Sequence, residues 1–160
     1  MKTIKMKNDA IIRTGEFLKK TKFKGAASRG AIKFIKRLEE KQNDFNEGIF
    51  VIRKDYFETD ETGELLIKEN KYTFKKDITK EGKKEFGDRL LELNNEEFEI
   101  SFSEHTSKFE AMFEALENSE VELCGEDALS YDELLDAYES SEEEAKTNKK
   151  NKKAKTKEEK

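Results

Sequence analysis

The sequence has no proline, no tryptophan and one cysteine in 160 residues. Each shortage removes a possibility. Proline deletes a helix hydrogen bond and clashes with the preceding turn, so its absence leaves long uninterrupted helices open. A lone thiol, Cys124, has no partner for an internal disulfide, and a reducing cytosol is the expected setting. One histidine, His105, and one cysteine cannot close a four-ligand zinc shell, and no other cofactor signature is present. No window approaches the roughly 18 apolar residues that a membrane-spanning helix needs. The opening MKTIKMKNDAII lacks the apolar run of a secretory leader, so a soluble, cytoplasmic chain is expected. Apolar residues make up only 34%, against 43% charged. That balance allows a small core and favours helices with one solvated face.

Charge is abundant and segregated beneath a net value of −5. Residues 1–41 carry 13 Lys and Arg against 4 Asp and Glu; residues 42–146 carry 12 against 31; residues 147–160 carry 7 against 2. A basic head, an acidic body and a basic tail suit contact with a charged partner, or with a second copy of the chain as a homo-oligomer.

Periodicity organises the rest. Residues 2–7, KTIKMK, place Ile4 and Met6 on one face at period two, which predicts a short edge strand. Asn8 or Asp9 is positioned to cap a helix over about residues 9–20, with Ile11, Ile12, Phe17 and Leu18 to one side and Gly15 weakening it slightly. From Ser28 to about Glu58, Ala31, Ile35, Leu38, Gln42, Phe45, Ile49, Ile52 and Tyr56 recur at steps of four and three. That is an a/d seam with one polar interruption, and about 30 helical residues span roughly 45 Å. Its expected partner is residues 78–94, where Phe86, Leu90 and Leu93 repeat the spacing and Leu91 widens the stripe. Between them, ELLI and KYTF around the polar KEN predict a β-hairpin tip.

NNEEFEISF alternates Phe98, Ile100 and Phe102 and is the natural partner strand for residues 2–7. Two helices follow, one with Phe109, Met112, Phe113 and Leu116 on one face and Ser103 or Thr106 as cap, the other with Leu134, Leu135 and Tyr138 inward. The expected fold is therefore mostly helical α+β: a long antiparallel, coiled-coil-like helical hairpin with a β-hairpin tip, on a small base of two strands and three short helices. The domain is expected over residues 1–139, with residues 140–160 a charged, disordered tail or a frayed helix extension.

Candidate chemistry centres on KFKGAASRGAIKFIKRL, residues 22–38. Gly25 and Gly30 lie near a helix start, but Ala31 and Ile32 stand where a phosphate-binding loop places its lysine and hydroxyl residue. The plainer reading is a tight helix–helix turn, with Gly25 at positive φ, Ser28 as cap, and Ala26, Ala27, Gly30 and Ala31 permitting close packing. What stays functional is charge. Lys20, Lys22, Lys24, Arg29, Lys33, Lys36 and Arg37, with Phe23 as an apolar anchor, form a candidate interaction surface. Its readings are an ordinary solvated face, a contact for an acidic protein, or a nucleic-acid footprint. The acidic run from Glu114 to Glu144 is either the solvated face of core helices or a mimic of phosphate spacing able to inhibit a DNA-binding protein. Glu104 beside His105 permits a carboxylate–histidine contact, but no nucleophile is tied to it by any signature, so no catalytic residue is assigned. Cys124 reads as a small buried hydrophobe.

The segments KFKGAASRGAIKFIKRLEEK, EFGDRLLELNNEEFEI and VELCGEDALSYDELLDAYE resemble a family of small uncharacterised proteins from phages and prophages of Gram-positive bacteria, over about residues 2–139. The resemblance brings no catalytic residues. It implies a non-enzymatic viral accessory protein acting by protein–protein interaction in the host bacterial cytoplasm. The alternatives are a nucleic-acid-binding factor using the basic head and tail, and an inhibitor of a host defence protein acting through the acidic face.

Overall fold

A computed structural model describes the backbone of residues 2–158 and the side chains of residues 2–148. The chain is mostly helical, with one two-stranded antiparallel sheet among the described residues. Strand β1 (Thr3–Lys7) pairs with β2 (Glu97–Ser101), as the alternation predicts. Ile4 lies opposite Ile100 and Met6 opposite Phe98, all buried, while Lys5 faces Glu99 and Lys7 faces Glu97 on the outer side. The register thus puts apolar pairs inward and opposite charges outward, both of which stabilise a two-stranded ribbon.

A 3-10 turn (Asn8–Ala10) leads into α1 (Ile11–Lys20). Asn8 does not cap it. Its amide Nδ2 donates to the Leu93 carbonyl at 2.9 Å and its backbone N–H to that of Glu96 at 2.9 Å, tying the start of the chain to the end of the third helix. Ile11, Thr14, Phe17 and Leu18 form the buried face, and Ile12, expected inward, is 51% exposed.

Helix α2 (Gly25–Tyr56) carries two different faces. In its first half Ala27, Gly30, Ala31, Phe34 and Leu38 are buried against α1 and against α4 (Thr106–Glu117). Phe34 is fully buried, with edge-to-face contacts to Phe109 at 5.4 Å and Phe113 at 5.8 Å. In the second half Ile52 and Tyr56 turn to α3 (Lys80–Asn95), where Phe86, Leu90 and Leu93 pack on them. The expectation that residues 78–94 cover the whole seam is therefore corrected. A helix of 32 residues outruns a partner of 16 residues, and α1 and α4 take the remaining length. Leu91 is 60% exposed and does not widen the stripe.

The connection from Phe57 to Thr79 also differs from expectation. It forms no regular strands and holds three isolated bridges, Phe57–Phe74, Thr59–Leu65 and Lys68–Lys71. The innermost closes on Glu69 and Asn70, both at positive φ, as a two-residue hairpin turn demands. Phe57 stacks on Phe74 at 4.4 Å and meets Phe86 edge-on, so aromatic packing rather than a ladder holds the loop to the helices. Thr79 caps α3 by accepting from the Gly82 N–H.

Helix α5 (Gly125–Glu158) completes the base. Phe102, Phe113 and Tyr138 stack in parallel, the last two with centroids 4.2 Å apart. The boundary expected at residue 139 falls inside this helix. Ser141 is buried, and Glu142 accepts from the Lys2 ammonium at 2.7 Å. No proline or further glycine follows Gly125 in the sequence, and Ser141 and half-buried Ala145 continue the stripe of Ser130, Leu134 and Tyr138 in small residues. The expected disorder of the tail concerns, from residue 149 onward, side chains outside the described residues.

Candidate interaction surface

The turn between α1 and α2 is built as the sequence suggests, with one change. Gly25 has φ +54°, a conformation that costs glycine little. Helix α2 starts there, three residues before Ser28, and Lys24 occupies the cap position without a side-chain hydrogen bond. Ser28 is no cap, because its N–H already donates to the Lys24 carbonyl. A Cβ added at Gly30 would press on the Lys108 carbonyl, so the small-residue stretch does bring α2 and α4 into close approach.

Of the expected surface residues, two are tied internally. Lys20 pairs with Asp127 at 3.2 Å, and Arg37 with Glu40 at 3.0 Å and Glu104 at 2.8 Å. The hydrogen bond that Arg37 donates to Glu40, then the charges of Glu40 and Glu104, raise the Arg37 pKa above its ordinary value. Lys22, Lys24, Arg29, Lys33 and Lys36 make no ion pair among the described residues. Arg29, Lys33 and Lys36 lie four and three residues apart, on one face of α2. Lys22 and Lys24 are exposed on the turn that precedes α2.

Phe23 is placed differently from expectation. It does not protrude as an anchor but is half-buried against the main core. It forms one wall of a groove of about 400 Å³ between α1, the α1–α2 turn, the end of α4 and the start of α5. Phe17, Leu116, Leu123 and Tyr131 form the other walls. The Tyr131 hydroxyl donates to the Leu116 carbonyl at 3.2 Å and its ring meets Phe17 edge-on. Lys22 and Glu122 stand at the rim, and Val121, 68% exposed, lies at the mouth. The groove was not legible in the sequence, because its walls come from four separate segments.

The acidic run is partly neutralised from within. Arg13 makes a bidentate pair with Glu133, and Lys2 bridges Glu110 and Glu142. Burial works against the Lys2 charge, but the bonds to Glu142 and Glu110 outweigh it and hold its pKa above the ordinary lysine value. The same bond to Lys2 holds Glu142 below the usual carboxylate range. Asp132, Asp136, Glu139 and Glu143 remain exposed and without ion pairs among the described residues, along one face of α5.

His105 and Glu104 do not engage each other. Glu104 accepts from Arg37, while the His105 ring lies edge-on to Phe109 with its Nδ1 buried and unbonded among the described residues. Neither Ser103 nor Thr106 caps α4; Thr106 Oγ1 donates to the Phe102 carbonyl instead. Cys124 is exposed, not buried as expected, because it sits in the irregular link just before Gly125 turns into α5. No group of three or more His, Cys, Asp or Glu is arranged to hold a metal ion among the described residues. No helix among them is long and apolar enough to cross a membrane.

Comparison of the chain with protein-family models, with curated proteins and with solved structures finds no match in any of the three.

Proposed function

We propose that the chain is a non-enzymatic accessory protein that acts by binding another protein, with the cationic stripe from Lys22 to Lys36 as its contact. One observation carries this reading: Arg29, Lys33 and Lys36 share one face of α2 and, with the exposed Lys22 and Lys24 of the preceding turn, make no ion pair among the described residues, although the chain has an excess of carboxylates. Charges left unpaired on one face attract an oppositely charged surface and set its orientation. The unpaired carboxylates of α5 would disfavour a long polyanion laid across the molecule, which supports a protein over a nucleic acid. On this reading the chain would be of phage or prophage origin, and its partner a phage- or host-encoded protein met in the bacterial cytoplasm.

The second half of α2 with α3 reads as a coiled-coil-like hairpin. The four–three spacing of Phe45, Ile49, Ile52 and Tyr56 supports that, as does Gly48, where a Cβ would lie 3.2 Å from Leu93. The hairpin would act as a rigid extension behind the contact surface.

The test is affinity capture from infected cells with the wild-type chain and with the variant Arg29→Glu/Lys33→Glu/Lys36→Glu. The expected result is a protein retained by the wild type, released by salt and lost with the variant. Equal retention by both chains refutes the stripe. Retention of oligonucleotides at low salt with no protein captured refutes the choice of partner. Exposed ion pairs contribute only about 0–1 kcal/mol each, so charge alone gives a weak complex, and a specific one needs an apolar anchor as well.

A further inference from the structure

Helix α5 carries a second charge pattern, on the face turned away from the core. Four acids, Asp132, Asp136, Glu139 and Glu143, follow one another at steps of four and three. Four lysines, Lys146, Lys150, Lys153 and Lys157, continue the same alternation without a break. We infer that this row is a self-association surface: two copies of the chain pair their α5 helices antiparallel, the acids of each against the lysines of the other. The row lies on a different helix from the cationic stripe of α2 and does not depend on it.

The backbone of α5 is helical from Gly125 to Glu158, so all eight positions fall in one register. From Asp132 to Lys146 they are exposed and make no ion pair among the described residues, while Leu134, Tyr138 and Ser141 on the opposite side are buried. A second helix can therefore lie along the row with each base on the outer side. The charges stand in blocks, and like charges three and four residues apart on a helix repel. The block centres are about 14 residues, roughly 21 Å, apart along the axis, beyond the ~8–10 Å screening length at ordinary salt. A continuous helix cannot fold back on itself, so one chain cannot neutralise its own blocks. The spacing specifies the mate. The row is symmetric about the peptide bond between Glu144 and Ala145. A two-fold axis there sets Asp132 opposite Lys157, Asp136 opposite Lys153, Glu139 opposite Lys150 and Glu143 opposite Lys146, and the same four pairs again by symmetry. Parallel pairing would set every charge against its own kind, and a slip of one heptad would set Glu139 against Glu143.

The test is sedimentation equilibrium of the full chain, over protein concentrations up to about 1 mM. Exposed charge pairs are individually weak and are screened by salt, so the wild type is expected in monomer–dimer exchange that weakens about tenfold or more between about 50 mM and about 500 mM salt. Lys146→Glu/Lys150→Glu/Lys153→Glu/Lys157→Glu makes the row wholly acidic. Asp132→Lys/Asp136→Lys/Glu139→Lys/Glu143→Lys makes it wholly basic. Each variant alone is expected to stay monomeric, and an equimolar mixture of the two is expected to form a mixed dimer, with circular dichroism confirming the fold of both.

A wild type that stays monomeric at low salt overturns the pairing, and if it also retains oligonucleotides through the lysine block, the row is a polyanion contact instead. Self-association that persists in either folded variant assigns the contact to another surface and overturns it too. So does a mixture of the two folded variants that stays monomeric. Where a variant fails to fold, the wild type decides: a dimer insensitive to salt overturns the pairing. The affinity capture reads the stripe of α2 separately, because its variant leaves every position of this row unchanged.

Discussion

Gly30 offers the sharpest test of the architecture behind the cationic face. It lies in the first half of α2, where that helix crosses α4. A Cβ built there would stand 2.8 Å from the Lys108 carbonyl carbon and 3.1 Å from Met112 Cβ, and closer still to the Lys108 oxygen. Carbon atoms pack best about 3.5–4.0 Å apart, so the two helices must separate by roughly 1 Å to admit one methyl group. The obstacle is backbone and cannot rotate away. Overpacking of this kind costs about 1–3 kcal/mol, and the upper end applies here, offset by the roughly 1 kcal/mol that alanine gains over glycine inside a helix. Gly30→Ala should therefore lose about 2 kcal/mol net, a fall in Tm of about 4–8 °C for a chain of this size. Gly15, inside α1, has no atom within 4 Å of its added Cβ. There the same substitution should gain about 0.5–1 kcal/mol and raise Tm by about 1–4 °C. Far-UV circular dichroism melts of both variants beside the wild type decide the matter. A Gly30→Ala chain that melts at or above the wild type would refute the close crossing of α2 and α4.

Three further outcomes are expected. Because Lys2 depresses the Glu142 pKa, that pair's contribution is present above the ordinary carboxylate pKa and is lost as pH falls through the lowered one. Glu142→Gln should then be less stable than the wild type by no more than about 1 kcal/mol at neutral pH, given partial exposure, and urea midpoints should converge as pH falls through the lowered Glu142 pKa; a constant gap contradicts the pairing. Ending the chain after residue 139 removes Glu142 and buried Ser141, and should lower the urea midpoint; an unchanged midpoint would show that the fold does not need the continuation of α5. Native Cys124 should react with a maleimide to one equivalent without denaturant, and a thiol that labels only on unfolding contradicts its exposed position.

Periodicity made the elements legible wherever one face met one partner. Ile4 and Met6 against Phe98 and Ile100 could be paired from alternation alone, and the buried face of α4 could be read residue by residue. The reading weakened where a helix changes partner. The seam through Ile35 and Gln42 is a real repeat, yet both residues are only half-buried, while Phe34, one position away, is fully buried against Phe109 and Phe113. A repeat at steps of four and three specifies one stripe, and α2 uses a second stripe for α4 that hydrophobic spacing does not mark, because Ala27 and Gly30 are small. Small residues also hid the continuation of α5 through Ser141 and Ala145. The candidate site divides in the same way. Its charges were legible because they are local, at Lys22, Lys24, Arg29, Lys33 and Lys36. Its apolar half was not, because Phe23, Leu116, Leu123 and Tyr131 meet only after α1, α4 and α5 have packed. The small residues act elsewhere: Gly30 lets α2 lie against α4 at Lys108 and Met112, while the groove is lined from α1, the α1–α2 turn, the end of α4 and the start of α5.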